Sequence, residues 1–183
     1  MPGLIIKNAQ KMKKYIILMM MVGTLPLMAQ VAIGKEQLRS ASVSLEFADA
    51  NRGLLLPWVT SAAATTGAAN GTFIFDRSDK KVKYRKNGSW FDLSLDPRGK
   101  VNTSLQDQQA DNPAARVAIG KNPAADKTPG VLVLTDNDRA MVLPRVASPH
   151  LNIVQPEPGL MVFDTVTRQL AVFNGTVWTF WKP

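Results

Sequence analysis

The chain has 183 residues, no Cys and one His, with 22 Lys+Arg against 14 Asp+Glu for a formal charge of +8. That length holds one ordinary domain or two very small ones. The missing Cys excludes disulfides, Cys-based zinc sites and a thiol nucleophile, and a Ser-His arrangement would have to rest on His150 alone.

The first expected element is a leader. Lys11, Lys13 and Lys14 precede the apolar run Tyr15 to Val22, and Leu27-Met28-Ala29-Gln30 follows Gly23 and Pro26. A positive region, an apolar core and a small residue at the cut predict a signal peptide over 1–29, cleaved after Ala29. The core is shorter than the roughly 20 apolar residues of a membrane span, so no stable span is expected after processing. Met12 is a candidate true start. Cleavage removes Lys7, Lys11, Lys13 and Lys14 and no acidic residue, so the charge falls to 18 − 14 = +4. The high charge is partly a property of the leader and argues weakly for nucleic acid. The expected address is outside the inner membrane: extracellular or at the cell surface, with the periplasm as the alternative.

The rest of the chain repeats itself. Val31-Ala32-Ile33-Gly34-Lys35 recurs as Val117-Ala118-Ile119-Gly120-Lys121. Arg52-Gly53-Leu54-Leu55-Leu56-Pro57 recurs as Arg139-Ala140-Met141-Val142-Leu143-Pro144. Gly71 to Asp76 matches Gly159 to Asp164, and Asn87-Gly88-Ser89-Trp90 matches Asn174-Gly175-Thr176-Val177-Trp178. The offset stays between 86 and 88. Order and spacing are both kept, which is the mark of a duplication. The organisation expected is module one over 30–93, a polar linker over 94–116 and module two over 117–183.

Each copy reads as short strands. Ser44 to Phe47 and Val131 to Leu134 lead into the apolar runs Gly53 to Leu56 and Met141 to Leu143. Unbroken apolar runs suit strands covered on more than one side. Pro57 and Pro144 lack a ladder donor and should end them or sit at an edge. Segments 58–70 and 145–158 are expected as loops, with one helical turn at Ala62 to Ala64. Next comes a hairpin: Thr72 to Phe75, a connection capped by Asp76, then Lys81 to Arg85. Alternation puts Val82 and Tyr84 on one face and Lys81, Lys83 and Arg85 on the other, toward solvent. Asn87-Gly88 and Asn174-Gly175 are read as tight reversals of type I′. A Trp-bearing strand follows each, Trp90 to Leu93 and Trp178 to Trp181. The fold class expected is all-β: two duplicated small modules of short strands and hairpins.

The ordered blocks resemble a repeat common in secreted proteins of the Bacteroidetes, with related arrangements in tail-fibre-like surface proteins. Val31 to Gly34, Gly53 to Pro57, Gly71 to Asp76 and Asn87 to Trp90 carry the resemblance in copy one. Val117 to Gly120, Ala140 to Arg145, Gly159 to Asp164 and Asn174 to Trp178 carry it in copy two. It implies an exported, trimeric surface protein whose modules are intertwined in a fibre-like homo-oligomer, with no catalytic residues and no cofactor. Two positions depart from the pattern: Trp58 stands where copy two has Arg145, and Ala140 stands where copy one has Gly53.

Candidate sites are few. Asp136-Asn137-Asp138 offers close oxygens for calcium, but its counterpart Asp49-Ala50-Asn51 lacks the second Asp, and a solvated turn is the better reading. Asp76 and Asp164 recur as a carboxylate pair, yet their place in hairpin turns suits capping better than hydrolysis. Lys81, Lys83 and Arg85, with Tyr84 and Trp90 nearby, are candidate contacts for an anionic glycan or surface, and nucleic acid is disfavoured because copy two lacks the patch. Trp90 and Trp178 are candidate sugar-stacking residues. Gly34, Gly120, Leu55, Pro57, Val142, Pro144, Asn87, Gly88, Asn174 and Gly175 are structural. A module of roughly 60 residues is marginal alone. The leading reading is therefore a structural or adhesive homo-oligomer, the second a carbohydrate- or surface-binding module, and a hydrolase the distant third.

Overall fold

The computed structural model describes residues 30–182 except 105, 111 and 113, so the expected leader and its cut after Ala29 lie outside the described residues. Fourteen strands and one short helix are present among them. The fold is predominantly β. Copy one contributes β1 (Val31–Ile33), β2 (Val43–Phe47), β3 (Leu54–Leu55), β4 (Trp58–Val59), β5 (Phe73–Asp76), β6 (Lys81–Lys86) and β7 (Ser89–Asp92). Copy two contributes β8 (Val117–Ile119), β9 (Leu132–Leu134), β10 (Ala140–Val142), β11 (Arg145–Val146), α1 (Pro149–Asn152), β12 (Leu160–Asp164), β13 (Gln169–Phe173) and β14 (Trp178–Trp181).

The repeat is seen element by element. β1 pairs in parallel with β2, and β8 with β9. β4-β5-β6-β7 and β11-β12-β13-β14 are sheets of the same order, each opening with a parallel pair and closing with two antiparallel ones. The segments after each Pro, expected as loops, begin with a two-residue strand. Phe75 donates its N–H to the Pro57 carbonyl and Phe163 donates to that of Pro144, both at 2.9 Å. Each Pro ends its apolar strand as expected, but its carbonyl starts the next pairing. Segment 145–158 also holds α1, which Pro149 opens at its first turn.

The two copies do not form separate units. β3 of copy one pairs antiparallel with β12, Leu54 opposite Met161 and Leu55 opposite Leu160. β10 of copy two pairs in parallel with β2, Met141 opposite Leu45 and Val142 opposite Glu46. Each copy therefore lends the same segment to the other. The principal core lies where they meet: Leu56, Phe75, Val82 and Leu93 pack with Met161 and Val172. A smaller cluster of Val146, Val162 and Ala171 sits beneath Trp178 and Phe180.

Gly53 explains one departure in the repeat. A Cβ there would lie 2.6 Å from Leu160 Cγ and 2.8 Å from Val162 Cγ1, so β3 can lie on β12 only because residue 53 has no side chain. β10 lies on β2 instead, and Ala140 is accommodated there.

The polar stretch after β7 runs along copy two at its start. Lys100 donates its N–H to the Asn174 carbonyl at 3.1 Å, and the Asn174 amide donates to the Asp96 carbonyl at 3.0 Å.

Candidate functional site

The turns were read alike from sequence, but only one has the expected form. Asn87 and Gly88 both have positive φ, 51° and 75°, as a type I′ reversal requires. In copy two only Gly175 does. Val177 is the extra residue, so Asn174 closes a wider loop: its carboxamide oxygen accepts from the N–H groups of Thr176 and Val177 at 3.0 and 2.8 Å. Asn174 is fully buried, which fits this anchoring role.

Asp76 and Asp164 cap their turns. Asp76 accepts from the N–H groups of Ala62 and Ser78, at 2.7 and 2.8 Å, and from the Ser78 hydroxyl. Asp164 accepts from the N–H groups of Ser148 and Val166, at 3.1 and 2.9 Å, and from the Thr167 hydroxyl. Burial pushes both carboxyls up. The donors outweigh it and hold both below the ordinary carboxylate range: at Asp76 the Ser78 hydroxyl and the N–H groups of Ala62 and Ser78, at Asp164 the Val166 N–H, the Thr167 hydroxyl and the Ser148 N–H. Neither presents a carboxylate free for acid–base work.

The Asp136-Asn137-Asp138 run is also engaged. Asp136 accepts from the Lys121 N–H at 2.8 Å and the Ser44 hydroxyl at 3.3 Å, and Lys121 pairs with Asp138 at 2.8 Å. Among the described residues no three His, Cys, Asp or Glu are grouped to hold a metal ion. His150 lies edge-on to Phe180, with centroids 5.8 Å apart.

The basic strand corrects the expectation that its three cations face water. Lys83 is buried, and its ammonium pairs with both Asp79 and Asp92. Lys81 also pairs with Asp92, at 2.6 Å. The cause is register: Asp92 on β7 lies directly opposite Lys83. Burial pushes the Lys83 ammonium down, but the hydrogen bonds to Asp79 and Asp92 raise it above its ordinary value. Arg85 stacks over the Trp90 ring with its guanidinium carbon 5.5 Å from the centroid. Tyr84 packs between Phe73 and Phe91 on the other face. Trp178 is not near this group; it packs on Phe173 and Phe180 at centroid distances of 5.3 and 6.5 Å. Lys81, Lys83, Arg85 and Trp90 thus share one face of β6–β7, while Tyr84 lies on the other face and Trp178 on β14, and the two Trp rings are met by other side chains.

What the surface does offer is apolar. Leu55 is 47% exposed, Val117 55%, Val131 61% and Leu132 41%. These residues lie on or beside β3, β8 and β9, and of these only the apolar run of β3 was expected to need cover. Leu56 is buried within the chain while Leu55, next to it, is not. Val142 is half-buried. Sequence reasoning singled out Leu55 and Val142 but missed the β8–β9 ladder as exposed surface; the signal was present in Val131-Leu132-Val133-Leu134, an apolar run as unbroken as the two that were singled out. No helix among the described residues is long and apolar enough to cross a membrane.

Residues 118–182 match the family model described as a phage tail like trimerisation region. No curated protein and no solved structure matches the chain. The matched region covers β9 to β14 and most of β8.

Proposed function

We propose that this protein is an exported, non-enzymatic structural component that assembles as a homotrimer and serves as a short fibre-like or adhesive element at the cell surface. The match of residues 118–182 to a trimerisation region carries the reading. The leader over 1–29 and the resemblance to secreted Bacteroidetes repeat proteins support export and a surface address. The exposed apolar residues of β3, β8 and β9 support assembly: a small all-β chain without disulfides gains its missing cover from other chains. Module one (30–93) and module two (117–183) are then successive layers of one fibre-like body.

Adhesion through sugar stacking is the weaker reading, since Arg85 covers Trp90, and Phe173 and Phe180 pack against Trp178. The tested variants are Leu55→Asp and Val142→Asp, with Thr65→Asp in the loop after β4 as control. A charge placed in a buried interface carries a desolvation penalty as well as lost packing. The two interface variants should reduce or abolish the trimer and the control should not. A trimer that survives both would overturn the reading of these segments as assembly surface.

A further inference from the structure

The duplicated segment that forms β3 and β10 uses opposite edges in its two copies. Leu56 donates its N–H to the Gly159 carbonyl at 3.1 Å. By alternation Leu54 and Leu56 face β12, and Gly53 and Leu55 turn their N–H and C=O outward. Ala140 donates its N–H to the Ser42 carbonyl at 2.9 Å. The register shifts by one residue between Ala140, opposite Val43, and Met141, opposite Leu45, so the extra residue lies on β2 and β10 keeps its alternation: Ala140 and Val142 face β2, and Met141 and Leu143 turn their N–H and C=O outward. Each copy has the partner the other lacks.

The recipients show the same asymmetry. β10 covers β2, and Leu45 is 1% exposed; its counterpart on β9, Leu132, is 41% exposed. Val117 donates to the Val131 carbonyl, and Thr135 to that of Ile119, both at 2.8 Å. Residues 131, 133 and 135 thus face β8, while Leu132 and Leu134 face the far side. Among the described residues no strand pairs with that edge of β9. On β12 one edge is shared by β11 and β3, but on β5 the same edge holds only β4, at Phe75 and Asp76. Gly71 to Phe73, the counterpart of the stretch that β3 covers, is open there.

The geometry points to a second copy of this chain as the occupant of both edges. The outward edge of β3 in one chain pairs in parallel with β9 of its neighbour, as β10 does with β2. The outward edge of β10 in that neighbour pairs antiparallel with Gly71–Phe73 of the first chain, as β3 does with β12. Transferring the observed registers puts Leu55 opposite Val133 of the neighbour, and the neighbour's Val142 opposite Thr72. Both contacts join unlike surfaces, so the interface is head-to-tail and must close into a ring or run on as a filament. Closure at three chains rests on the trimer reading above. Pairing also removes the exposed strand edges that otherwise template aggregation.

The chain has no Cys, so introduced thiols are unique. Leu55→Cys chains and Val133→Cys chains, refolded together as full mature chains, are treated with a short thiol-to-thiol cross-linker. Thr72→Cys with Val142→Cys tests the second contact, and Leu55→Cys with Val166→Cys, on the turn after β12, is the control. Paired strands hold two thiols at high effective concentration, so both test pairs should give at least about tenfold more mixed dimer than the control. Sedimentation of the same samples separates the two ideas. A folded trimer in which either test pair cross-links only at control level overturns the edge exchange and leaves trimerisation standing. A folded monomer overturns both.

Discussion

The indole N–H of Trp58 donates to the Pro158 carbonyl at 2.6 Å, across 100 residues of sequence and from one copy of the repeat to the other. A matching bond runs from the Trp181 indole to the Leu93 carbonyl at 2.7 Å. Trp58 is the position where copy two has Arg145, so the broken Pro-Arg pattern is a site where the two copies are joined. Trp58 also packs on Phe75 with centroids 6.2 Å apart.

Trp58→Phe keeps most of the ring packing and removes the donor. It should cost about 1–2 kcal/mol, the loss of one partly buried hydrogen bond with its acceptor left behind. Trp58→Arg, which gives position 58 the residue that copy two carries, should cost more because the ring contact with Phe75 goes too. Urea unfolding of each variant measures both, and an unchanged midpoint for Trp58→Phe would show that the bond is replaced by water.

Asp164→Ala should be among the most destabilising turn substitutions. It strands two backbone donors beside a buried site, at about 1–3 kcal/mol for each left unsatisfied. The pH dependence follows from the same contacts. Both turn carboxyls titrate below their ordinary value of 3.8, so the stability they supply is fully present above that pH. It is lost as pH falls through their folded values. Asp76→Asn/Asp164→Asn should flatten the fall in stability as pH drops below about 4. Equal acid sensitivity in the wild type and the double variant would contradict this.

The three cations of β6 should not behave alike. Lys83→Gln leaves Asp79 without its partner and weakens the tie to Asp92, and should cost about 1–2 kcal/mol. Lys81→Gln and Arg85→Gln should each stay within about 0.5 kcal/mol. Thermal unfolding ranks them, and a ranking with Lys83 lowest would return that ammonium to solvent.

Gly53→Ala should destabilise the pairing of β3 with β12, since the added methyl would meet Leu160 and Val162 at less than contact distance. Ala140→Gly should cost roughly 0.5–1 kcal/mol through backbone entropy alone. Hydrogen exchange at Leu56, whose N–H bonds across this pair, should rise in the first variant and not in the second.

The strands were legible in the sequence because alternation and turn residues are local. Val82 with Tyr84, and the Asn87-Gly88 reversal, need only their neighbours. The duplication was legible because the blocks keep their order. What stayed hidden depends on pairing between distant segments. Nothing in Leu54-Leu55 says that it meets Leu160 rather than Phe73, and nothing in Lys83 says that Asp92 will lie opposite. Asn174-Gly175 misled because Val177, one residue more than copy one has before its Trp, widens the turn. The expected ligand contacts looked like one patch because Tyr84, Arg85 and Trp90 are close in sequence, whereas alternation turns Tyr84 to the other face and cross-strand register sets Arg85 on Trp90 itself.

Trimerisation is tested most directly by sedimentation equilibrium of a chain starting at Gln30, the form that the proposed cleavage would leave, over a range of micromolar concentrations. The account predicts a single species of three-chain mass that persists on dilution. A well-folded species of one-chain mass would contradict it and would make the pairing of the two copies within one chain the whole assembly.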